Sequence, residues 1–478
     1  MEQILREHAL HAFETIVGAQ HVLREAADTA PFLTDQRQLF TGHALAVALP
    51  GSTGEVSRLL AYCNERGIPV VPQGGNTGYC GGATPSPQGN ALVVGLRRLN
   101  RIRGASAINE SLIAEAGCTL AAIQAAAEAC GRLFPLSLGS EGTCQIGGNL
   151  STNAGGVHVL RYGTARELML GLEVVLPDGS ILSSLEGLRK DTRGYALDQC
   201  FVGAEGTLGI ITAACLKLFA RPDHTAAALV AVESPASALA LLDSLRAALG
   251  ERLNAFEAMP RFAIELAAEH LAAVRDPFDH AYPWYVLCEV SSAGEGATLD
   301  ALLENALAAA SARGIVLDAA FARSEAQRAS FWFLREHIPE AQRLAGGSIK
   351  HDIALPRDRL VAFYDAAAAW VAGHVPEARL CAYGHLGDGN LHFNLNQAPG
   401  VSREAFFGRE PSVKRAIHDL VAAYGGTFSA EHGIGQLKVE ELERYRTPQQ
   451  IATMRALKQA LDPRGIMNPG KVLRAAHG

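Results

Sequence analysis

The chain has 478 residues, more than one hydrophobic core usually supports, so two or three domains are expected. Apolar residues make up 48 % and charged residues 19 %, as in an ordinary soluble globular enzyme. The net charge of −7, with 42 scattered basic residues, argues against nucleic-acid binding, and no apolar run approaches the ~18 residues that a membrane helix needs.

The N-terminal segment 1–18 predicts an amphipathic helix that lacks the apolar core of a signal peptide. Alanine-rich stretches at 120–131 and 363–374 predict tightly packed helices. Nine cysteines, an odd number without a C-x-x-C pair, are spread from Cys63 to Cys381, which suits reduced thiols rather than a disulfide framework. We therefore expect a cytoplasmic location.

A glycine-rich loop follows the first strongly apolar strand. The segment PVVPQGGNTGYCGG (69–82) contains β-branched strand residues and then five glycines, whose small size would expose backbone N–H groups to a phosphate or a ring edge. It is not the dinucleotide fingerprint, because no G-x-G-x-x-G opens a helix with an acidic residue ~20 positions later.

Three more glycine-containing segments follow at 135–156, 171–182 and 201–212, and we predict short strands joined by glycine turns in each. Taken singly, each glycine run is more often a plain turn than a site. Several within one half of a chain favour loops that wrap a long, flat, phosphorylated ligand.

Farther along, FWFLREHIPEAQ (331–342) predicts a helix that Pro339 ends or kinks, and GGSIKHDIALP (346–356) predicts a strand after it. Single cations in such a stretch, Arg335 and Lys350, are more often solvated surface charges than ligands of a substrate.

The most informative segment is a predicted hairpin near the C-terminus. RLCAYGH (379–385) and LHFNLN (391–396) are strand patterns, and the intervening Asp-Gly is a hairpin signal that places His385 across from His392. Alternation puts His392, Asn394 and Asn396 on one face and apolar residues on the other.

Two imidazoles and a carboxylate form the three-ligand set of a catalytic zinc or similar divalent ion. We assign Glu431 of AEHGIG (430–435) as the carboxylate, which leaves His432 as a non-ligating imidazole beside the metal. With 16 histidines in the chain a chance pair is an alternative, and a structural role for both imidazoles stays open.

Together these motifs resemble flavoproteins of the vanillyl-alcohol oxidase class. The resemblance is carried in order by PQGGNTG, GSEGTCQIGGNLSTNAGG, GAEGTLGIIT, GHLGDGNLH, AEHGIG and the terminal MNPGK. Within the class, the chain is most similar to the FAD-linked D-2-hydroxyacid dehydrogenases, the D-2-hydroxyglutarate and D-lactate dehydrogenase group.

The resemblance implies an α+β fold. It places an N-terminal helix and a two-subdomain FAD-binding domain at 1–221, a substrate or cap domain with an antiparallel sheet at 222–425, and a segment at 426–478 that returns to the FAD-binding domain.

The resemblance also implies the cofactor-binding residues, and covalent relatives carry a histidine where this chain has Asn76, so we expect non-covalent FAD. The implied residues are Pro72, Gly74, Gly75, Asn76, Thr77, Gly78, Leu138, Gly139, Gly142, Thr143, Ile146, Gly148, Asn149, Thr152, Asn153, Gly156, Glu205, Gly206, Ile210 and Asn468.

For the substrate, the resemblance implies carboxylate-holding cations at Arg335 and Lys350, with Asn394 and His432 also binding it. Arginine suits this role because its planar fork makes two charge-assisted bonds to a carboxylate. Pro339 departs from the threonine of 2-hydroxyglutarate-specific members and offers neither a hydroxyl nor an N–H.

The expected reaction is metal-assisted oxidation of D-2-hydroxyglutarate or a similar acid to the 2-oxoacid. The metal on His385, His392 and Glu431 lowers the pKa of the hydroxyl. His432 removes its proton, because an imidazole pKa lies near working pH. Hydride passes to flavin N5, and the electrons leave for a separate acceptor such as an electron-transfer flavoprotein, a quinone or a cytochrome.

Other functions remain open on the sequence. A D-lactate or glycolate dehydrogenase of the same family is one, and a non-enzymatic electron-relaying subunit of a flavoprotein complex is another. A metal-dependent hydrolase would use the same histidines and glutamate but gives no reason for the glycine loops. A homodimer is also open, and the two imidazoles suit zinc but also manganese or iron.

Overall fold

The computed structural model describes residues 2–294 and 296–475. The strands are, in chain order, β1 (Val22–Leu23), β2 (Ala46–Ala48), β3 (Val70–Gln73), β4 (Leu92–Gly95), β5 (Ile102–Ser106), β6 (Ser111–Glu115), β7 (Arg132–Leu133), β8 (Met169–Val175), β9 (Ile181–Ser183), β10 (Ile210–Lys217), β11 (Phe219–Ala220), β12 (His224–Val232), β13 (Leu253–Pro260), β14 (Trp284–Ser292), β15 (Asp318–Phe321), β16 (Ser348–Ile349), β17 (Asp352–Ala354), β18 (Ala378–Tyr383) and β19 (Asn390–Gln397).

The α-helices are α1 (Glu2–Val17), α2 (Ala26–Leu33), α3 (Thr53–Arg66), α4 (Leu120–Ala129), α5 (Ile146–Ser151), α6 (Val159–Tyr162), α7 (Pro235–Leu249), α8 (Arg261–His270), α9 (Gly296–Ala312), α10 (Glu325–Glu336), α11 (Ile338–Leu344), α12 (Arg357–His374), α13 (Arg403–Gly408), α14 (Glu410–Ala423), α15 (Val439–Tyr445) and α16 (Pro448–Leu461). None of the described helices has both the length and the apolar character that a membrane crossing requires.

Contacts divide the chain into two compact units. Unit 1 contains the chain up to Gly156, residues 163–221 and the C-terminal segment from Glu431 onward, and unit 2 contains residues 157–162 and 222–430. The predicted domain boundaries lie after residues 221 and 425, and they leave the short segment 157–162 in the first domain.

Unit 1 holds a mixed sheet in the order β1-β2-β4-β3, in which β2 and β3 both run parallel to β4. Parallel strands need a crossover connection, and α3 supplies the one from β2 to β3, which lie on either side of β4. The Ser52 side chain accepts the N–H of Glu55 at the start of α3, and Gly67 ends it in a left-handed conformation with φ of 66°. A second sheet, β5-β6-β10-β8-β9, is antiparallel.

Unit 2 is built on an antiparallel sheet in the order β13-β14-β12-β15. Both faces of this sheet are buried: Ala228 and Val230 of β12 belong to one apolar core, while Leu229 between them belongs to a second. A smaller sheet has β19 at its centre, paired with β16, β17 and β18.

The α+β fold with antiparallel sheets agrees with the prediction, and so do several local elements. The hairpin of β18 and β19 forms, but its register places Tyr383 opposite His392, so the predicted pairing of His385 with His392 is wrong. The helix before Pro339 ends at Glu336, and Pro339 lies in the first turn of the next helix, where a missing N–H costs least. The nine cysteines all lie in the described part of the chain and form no disulfide.

Two further local predictions are wrong. Within 135–156, where short strands joined by glycine turns were predicted, residues 146–151 form helix α5. Gly147 lets this helix pack closely, since a Cβ there would come within 2.7 Å of the Ala116 Cβ. Its hydroxyl side chains then bond carbonyls one turn back, as Ser151 does with Gly147 O at 2.6 Å. The strand predicted at 346–356 is two short strands, β16 and β17, with Lys350 and His351 between them.

Candidate active site

The glycine loops of unit 1 surround a cleft. Its lining includes the end of β3 at Gln73 and the glycine loop that follows, and it consists largely of glycines and other small residues. The lining residues are Pro72, Gln73, Gly74, Gly75, Asn76, Thr77, Gly78, Cys80, Gly82, Ala83, Leu96, Gln145, Gly147, Gly148, Asn149, Ser151, Thr152, Glu205, Gly206, Gly209, Ile210, Ile211 and His432.

Two glycines of the cleft lining show how closely the loops around it pack. A Cβ on Gly75 would overlap the carbonyl of Thr143, so the first two loops pack main chain against main chain. Gly206 has a φ of 69°, and a Cβ there would overlap the ring of Pro72. Exposed N–H groups in such loops bind anions.

The predicted cofactor residues divide into two groups. Those that line the cleft are Pro72, Gly74, Gly75, Asn76, Thr77, Gly78, Gly148, Asn149, Thr152, Glu205, Gly206 and Ile210. Those outside the lining are Leu138, Gly139, Gly142, Thr143, Ile146, Asn153, Gly156 and Asn468.

The sequence reasoning missed Gln145. Its side chain lines the cleft, and its buried Oε1 has no hydrogen-bond partner in the described structure. A buried acceptor in the cleft lining can take a hydrogen bond from a bound ligand. The glycine walls and this amide oxygen fit a planar, phosphorylated, N–H-bearing group such as FAD. The position of Gln145 directly before the IGG of the second loop was the sequence signal that could have identified it.

Glu205 connects the cleft to the segment that follows His432. Its carboxylate accepts the N–H groups of Ile434 and Gly435, both at 2.7 Å, and burial raises its pKa. The sequence analysis assigns Glu205 to the cofactor, whereas in the structure its side chain holds the chain just after the predicted base. His432 itself lines the cleft and packs edge-on against Tyr79, with ring centroids 4.9 Å apart.

Two predicted cofactor residues brace loops. Asn468 donates from Nδ2 to the carbonyls of Gly82 at 2.9 Å and Glu205 at 2.8 Å. Asn76 has a positive φ of 55° and donates to the carbonyl of Thr34 at 2.8 Å. Each amide thus fixes main chain at the edge of the cleft.

The histidines of the hairpin lie in unit 2. The rings of His385 and His392 are 5.7 Å apart at 74°, and His385 is buried. Asp352 of β17 lies opposite His392 of β19. The N–H of Ala430 donates to the carbonyl of Asp352 at 3.3 Å. Glu431 and His432, the other predicted functional pair, come next along the chain and belong to unit 1.

A buried carboxylate, Glu257 of β13, supports two of the predicted residues. Its Oε1 lies 2.6 Å from Nδ1 of His385, and its Oε2 accepts a bond from Arg335 at 2.8 Å. Burial alone would raise the pKa of Glu257, but the charges of His385 and Arg335 outweigh it and hold that pKa at about 2. Arg335, expected to hold a substrate carboxylate, is therefore already bound to a protein carboxylate.

On the polar face of β19, Asn394 and Asn396 are buried, while His392 is half-buried. Asn394 accepts the N–H of His351 at 3.2 Å and donates to Gln342 at 3.0 Å, while Gln342 donates to Asn396 at 2.6 Å. Asn394 is 2 % exposed, so its amide is held in one orientation by these partners. Lys350, the other predicted cation, is exposed.

Comparison with known proteins finds two family matches. The FAD binding domain family matches residues 44–184, and the family described as FAD linked oxidases, C-terminal domain, matches residues 221–472.

Curated relatives match almost the whole chain. The mitochondrial D-2-hydroxyglutarate dehydrogenase of Bos taurus is 38 % identical, over 98 % of this chain and 84 % of the relative. The enzyme of the same name from Arabidopsis thaliana is 36 % identical over 96 % and 80 %. The D-2-hydroxyglutarate dehydrogenase of Xanthomonas citri pv. viticola is 35 % identical over 96 % of both chains.

Solved structures of low identity share the fold. p-Cresol methylhydroxylase with substrate bound has a TM-score of 0.76 at 15 % identity, covering 98 % of this chain and 97 % of that one. The 4-ethylphenol oxidase of Gulosibacter chungangensis has a TM-score of 0.73 at 20 % identity, with the same coverage.

Proposed function

Because the chain belongs to the FAD-linked D-2-hydroxyacid dehydrogenases, we propose that it oxidises D-2-hydroxyglutarate to the 2-oxoacid with the help of a divalent metal. The coarser statement, that it is an FAD-dependent oxidoreductase acting on the CH–OH group of D-2-hydroxyacids, follows from its family. The substrate, the metal, the base and the electron acceptor are the proposed parts.

One observation carries the choice of reaction: the imidazole of His432 lines the glycine-walled cleft. Oxidation of an alcohol to a ketone removes a proton from oxygen and a hydride from carbon. A base beside a redox cofactor can take the proton from the oxygen while the cofactor takes the hydride from the carbon. His432 is the proposed base, and Glu205 keeps it in place by holding the main chain of Ile434 and Gly435.

FAD, when bound, supplies the hydride acceptor at flavin N5. The main chain of residues 74–78 and the amide of Gln145 are the groups proposed to hold it, non-covalently because Asn76 replaces the histidine of covalent relatives. The hydrolase alternative is weaker on this ground, since hydrolysis needs no such cleft.

His385, His392 and Glu431 are the proposed metal ligands, with zinc as the first choice and manganese or iron as alternatives. The metal would supply Lewis acidity that lowers the pKa of the substrate hydroxyl. The support is the donor set itself: two neighbouring imidazoles, one of them backed by a buried carboxylate.

Arg335, Lys350 and Asn394 are the proposed substrate-binding residues. The names of the relatives favour a five-carbon diacid. D-lactate is the second candidate, because Pro339 at the start of α11 cannot donate a hydrogen bond to a distal carboxylate.

An electron-transfer flavoprotein, a quinone or a cytochrome is the proposed acceptor, and a cytoplasmic location is proposed from the nine reduced cysteines. The relatives from Bos taurus and Arabidopsis thaliana are named mitochondrial, so cell fractionation would decide the location.

The test is anaerobic reduction of the bound flavin by a panel of D-2-hydroxyacids, with and without chelator. We expect D-2-hydroxyglutarate to bleach the flavin absorption fastest, the L enantiomer to leave it unchanged, and chelation to slow the bleaching. Bleaching by D-lactate alone would replace the proposed substrate. Bleaching that chelator leaves untouched would remove the metal, and failure of every acid would favour an electron-relaying subunit.

A further inference from the structure

The carboxylate of Glu257 gives each of its two oxygens a different partner. Oε1 lies 2.6 Å from Nδ1 of His385, while Oε2 takes both Nε and an Nη nitrogen of Arg335 at 2.8 Å. All three side chains are buried, and Glu257 is 1 % exposed. Nothing in the sequence analysis assigns Glu257 a role.

We propose that Glu257 is a positioning residue that sets which ring nitrogen His385 offers to the metal and orients the guanidinium of Arg335 for the substrate. The inference rests on the proposed function, because it takes His385 as a metal ligand and Arg335 as a substrate-binding cation. Glu257 thereby couples the two halves of the site through one carboxylate.

The tautomer of His385 follows from hydrogen-bond chemistry. An ionised carboxylate has acceptors only, so Nδ1 of His385 must carry the hydrogen of the 2.6 Å bond. In the neutral imidazole that metal ligation requires, the lone pair is then on Nε2, which becomes the ligating nitrogen. Carboxylate support of this kind also raises the basicity of a ligating imidazole.

The orientation of Arg335 follows from its planar fork. Two of its nitrogens bond one carboxylate oxygen, which fixes the guanidinium plane and the direction of its remaining edge. The guanidinium carbon also lies 5.0 Å from the centre of the Tyr383 ring.

The backbone explains how residues so distant in sequence meet. Ala258 and Gly384 exchange two hydrogen bonds of 2.9 Å, which sets the residue before Ala258 beside the residue after Gly384. Gly384 has a φ of 140°, a conformation that favours glycine, and a Cβ there would lie 3.2 Å from the carbonyl of Asn390.

The test is Glu257→Gln in the FAD-loaded enzyme, titrated with Zn²⁺ after chelation. An amide has one acceptor, and the charged double donor of Arg335 is expected to capture it. The amide NH₂ then faces Nδ1, which favours the tautomer with the hydrogen on Nε2 and weakens ligation through that nitrogen. The half-saturating Zn²⁺ concentration should rise roughly 10–100-fold, with turnover largely recovered at saturating Zn²⁺.

The double variant Glu257→Gln/Arg335→Met should recover much of this loss of zinc affinity. Without the cation, the amide oxygen can turn to Nδ1 of His385 and restore the tautomer. The recovery distinguishes positioning from general damage, because a second buried substitution would otherwise add to the first. It also keeps the idea testable if the single variant folds poorly.

Glu289→Gln is the matched control. Glu289 is 3 % exposed on the neighbouring strand β14, and its carboxylate bonds Arg328 at 3.1 Å and Trp332 at 2.7 Å. It should leave the half-saturating Zn²⁺ concentration unchanged.

Equal zinc affinity in wild type and Glu257→Gln, an equal shift in Glu289→Gln, or no recovery in the double variant would overturn the inference while leaving the proposed function intact. A wild-type enzyme that binds no Zn²⁺ and ignores chelator would overturn the metal part of the proposed function as well.

Discussion

The cleft of unit 1 and the buried polar cluster of unit 2 are built from different materials. Glycine main chain forms much of the cleft wall, and a Cβ at Gly75 would strike the Thr143 carbonyl. The cluster of unit 2 consists instead of ionised and hydrogen-bonding side chains, and Glu257, Arg335 and His385 are each less than a tenth exposed.

This difference predicts which kind of substitution each region tolerates least. A main-chain cleft is sensitive to added atoms, because its shape and its N–H groups are the recognition elements. A cluster of buried side chains is sensitive to removed atoms, because a lost partner leaves a buried charge or donor unsatisfied. His432 and Lys471 are side chains of unit 1, and substituting them tests whether unit 1 also depends on side-chain interactions.

The largest expected effect is that of His432→Ala, because it removes a reactive side chain from a cleft that consists largely of glycine main chain. Loss of a positioned base should lower turnover by about 10²–10⁴-fold while FAD remains bound, as stopped-flow flavin reduction and the flavin spectrum would record. His280→Ala, at an exposed position, is the control and should have no effect. Near-normal turnover of His432→Ala would mean that the base lies elsewhere.

Lys471→Met tests whether a buried charge in unit 1 behaves like those of unit 2. Burial lowers the pKa of Lys471 from 10.5 to about 8. Between these values the unfolded chain holds a proton that the folded apoprotein has released, so stability rises with pH across this window. Below this pH window, burial of the charged amine lowers the free energy of unfolding by up to about 3 kcal/mol.

The variant should therefore be more stable than wild type at pH 7, and the advantage should fade toward pH 10.5. Urea unfolding of the two apoproteins at neutral and alkaline pH measures this. Lys458 is the contrasting lysine, because its ammonium has a charged partner, Asp462, at 2.5 Å. A wild-type-to-variant difference that is the same at both pH values would show that Lys471 does not titrate as inferred.

Gly75→Ala should have the smallest of the three effects, and it tests the main-chain wall directly. The Thr143 carbonyl cannot rotate away as a side chain could, so overpacking should cost about 1–3 kcal/mol. The FAD dissociation constant should rise roughly 10–100-fold, as measured by fluorescence titration of the apoprotein. Gly104→Ala, where a Cβ meets nothing within 4 Å, is the control. Equal FAD affinities in the two variants would contradict the argument.

The hairpin of β18 and β19 could be predicted because the alternating apolar residues of its strands are a local signal. The predicted tight Asp-Gly connection is wrong, since the loop runs from 384 to 389. Residues 146–151 could not be predicted as a helix, because glycines serve turns and close packing equally well in a sequence. The neighbour that makes Gly147 a packing residue, Ala116, is distant along the chain.

Glu257 was missed for a related reason. It is an acidic residue in the apolar strand pattern LNAFEAMP (253–260), and its partner His385 is 128 positions away. A carboxylate inside such a strand was the available signal, since a buried charge requires a partner. Glu205 and Asn468 were assigned to the cofactor, and the structure gives both of their side chains loop-holding bonds.

By itself the sequence determined the chemical groups, namely the glycine loops, the hairpin histidines and the Glu-His pair, because residue types and short spacings are written in the chain. Only the tertiary structure decided which of these groups are already satisfied by one another. Arg335 has a protein carboxylate as its partner and Asn394 has Gln342, whereas Gln145 keeps a buried acceptor open. Hydrogen-bond partners across sheets depend on how distant strands pair, and no local pattern contains that information.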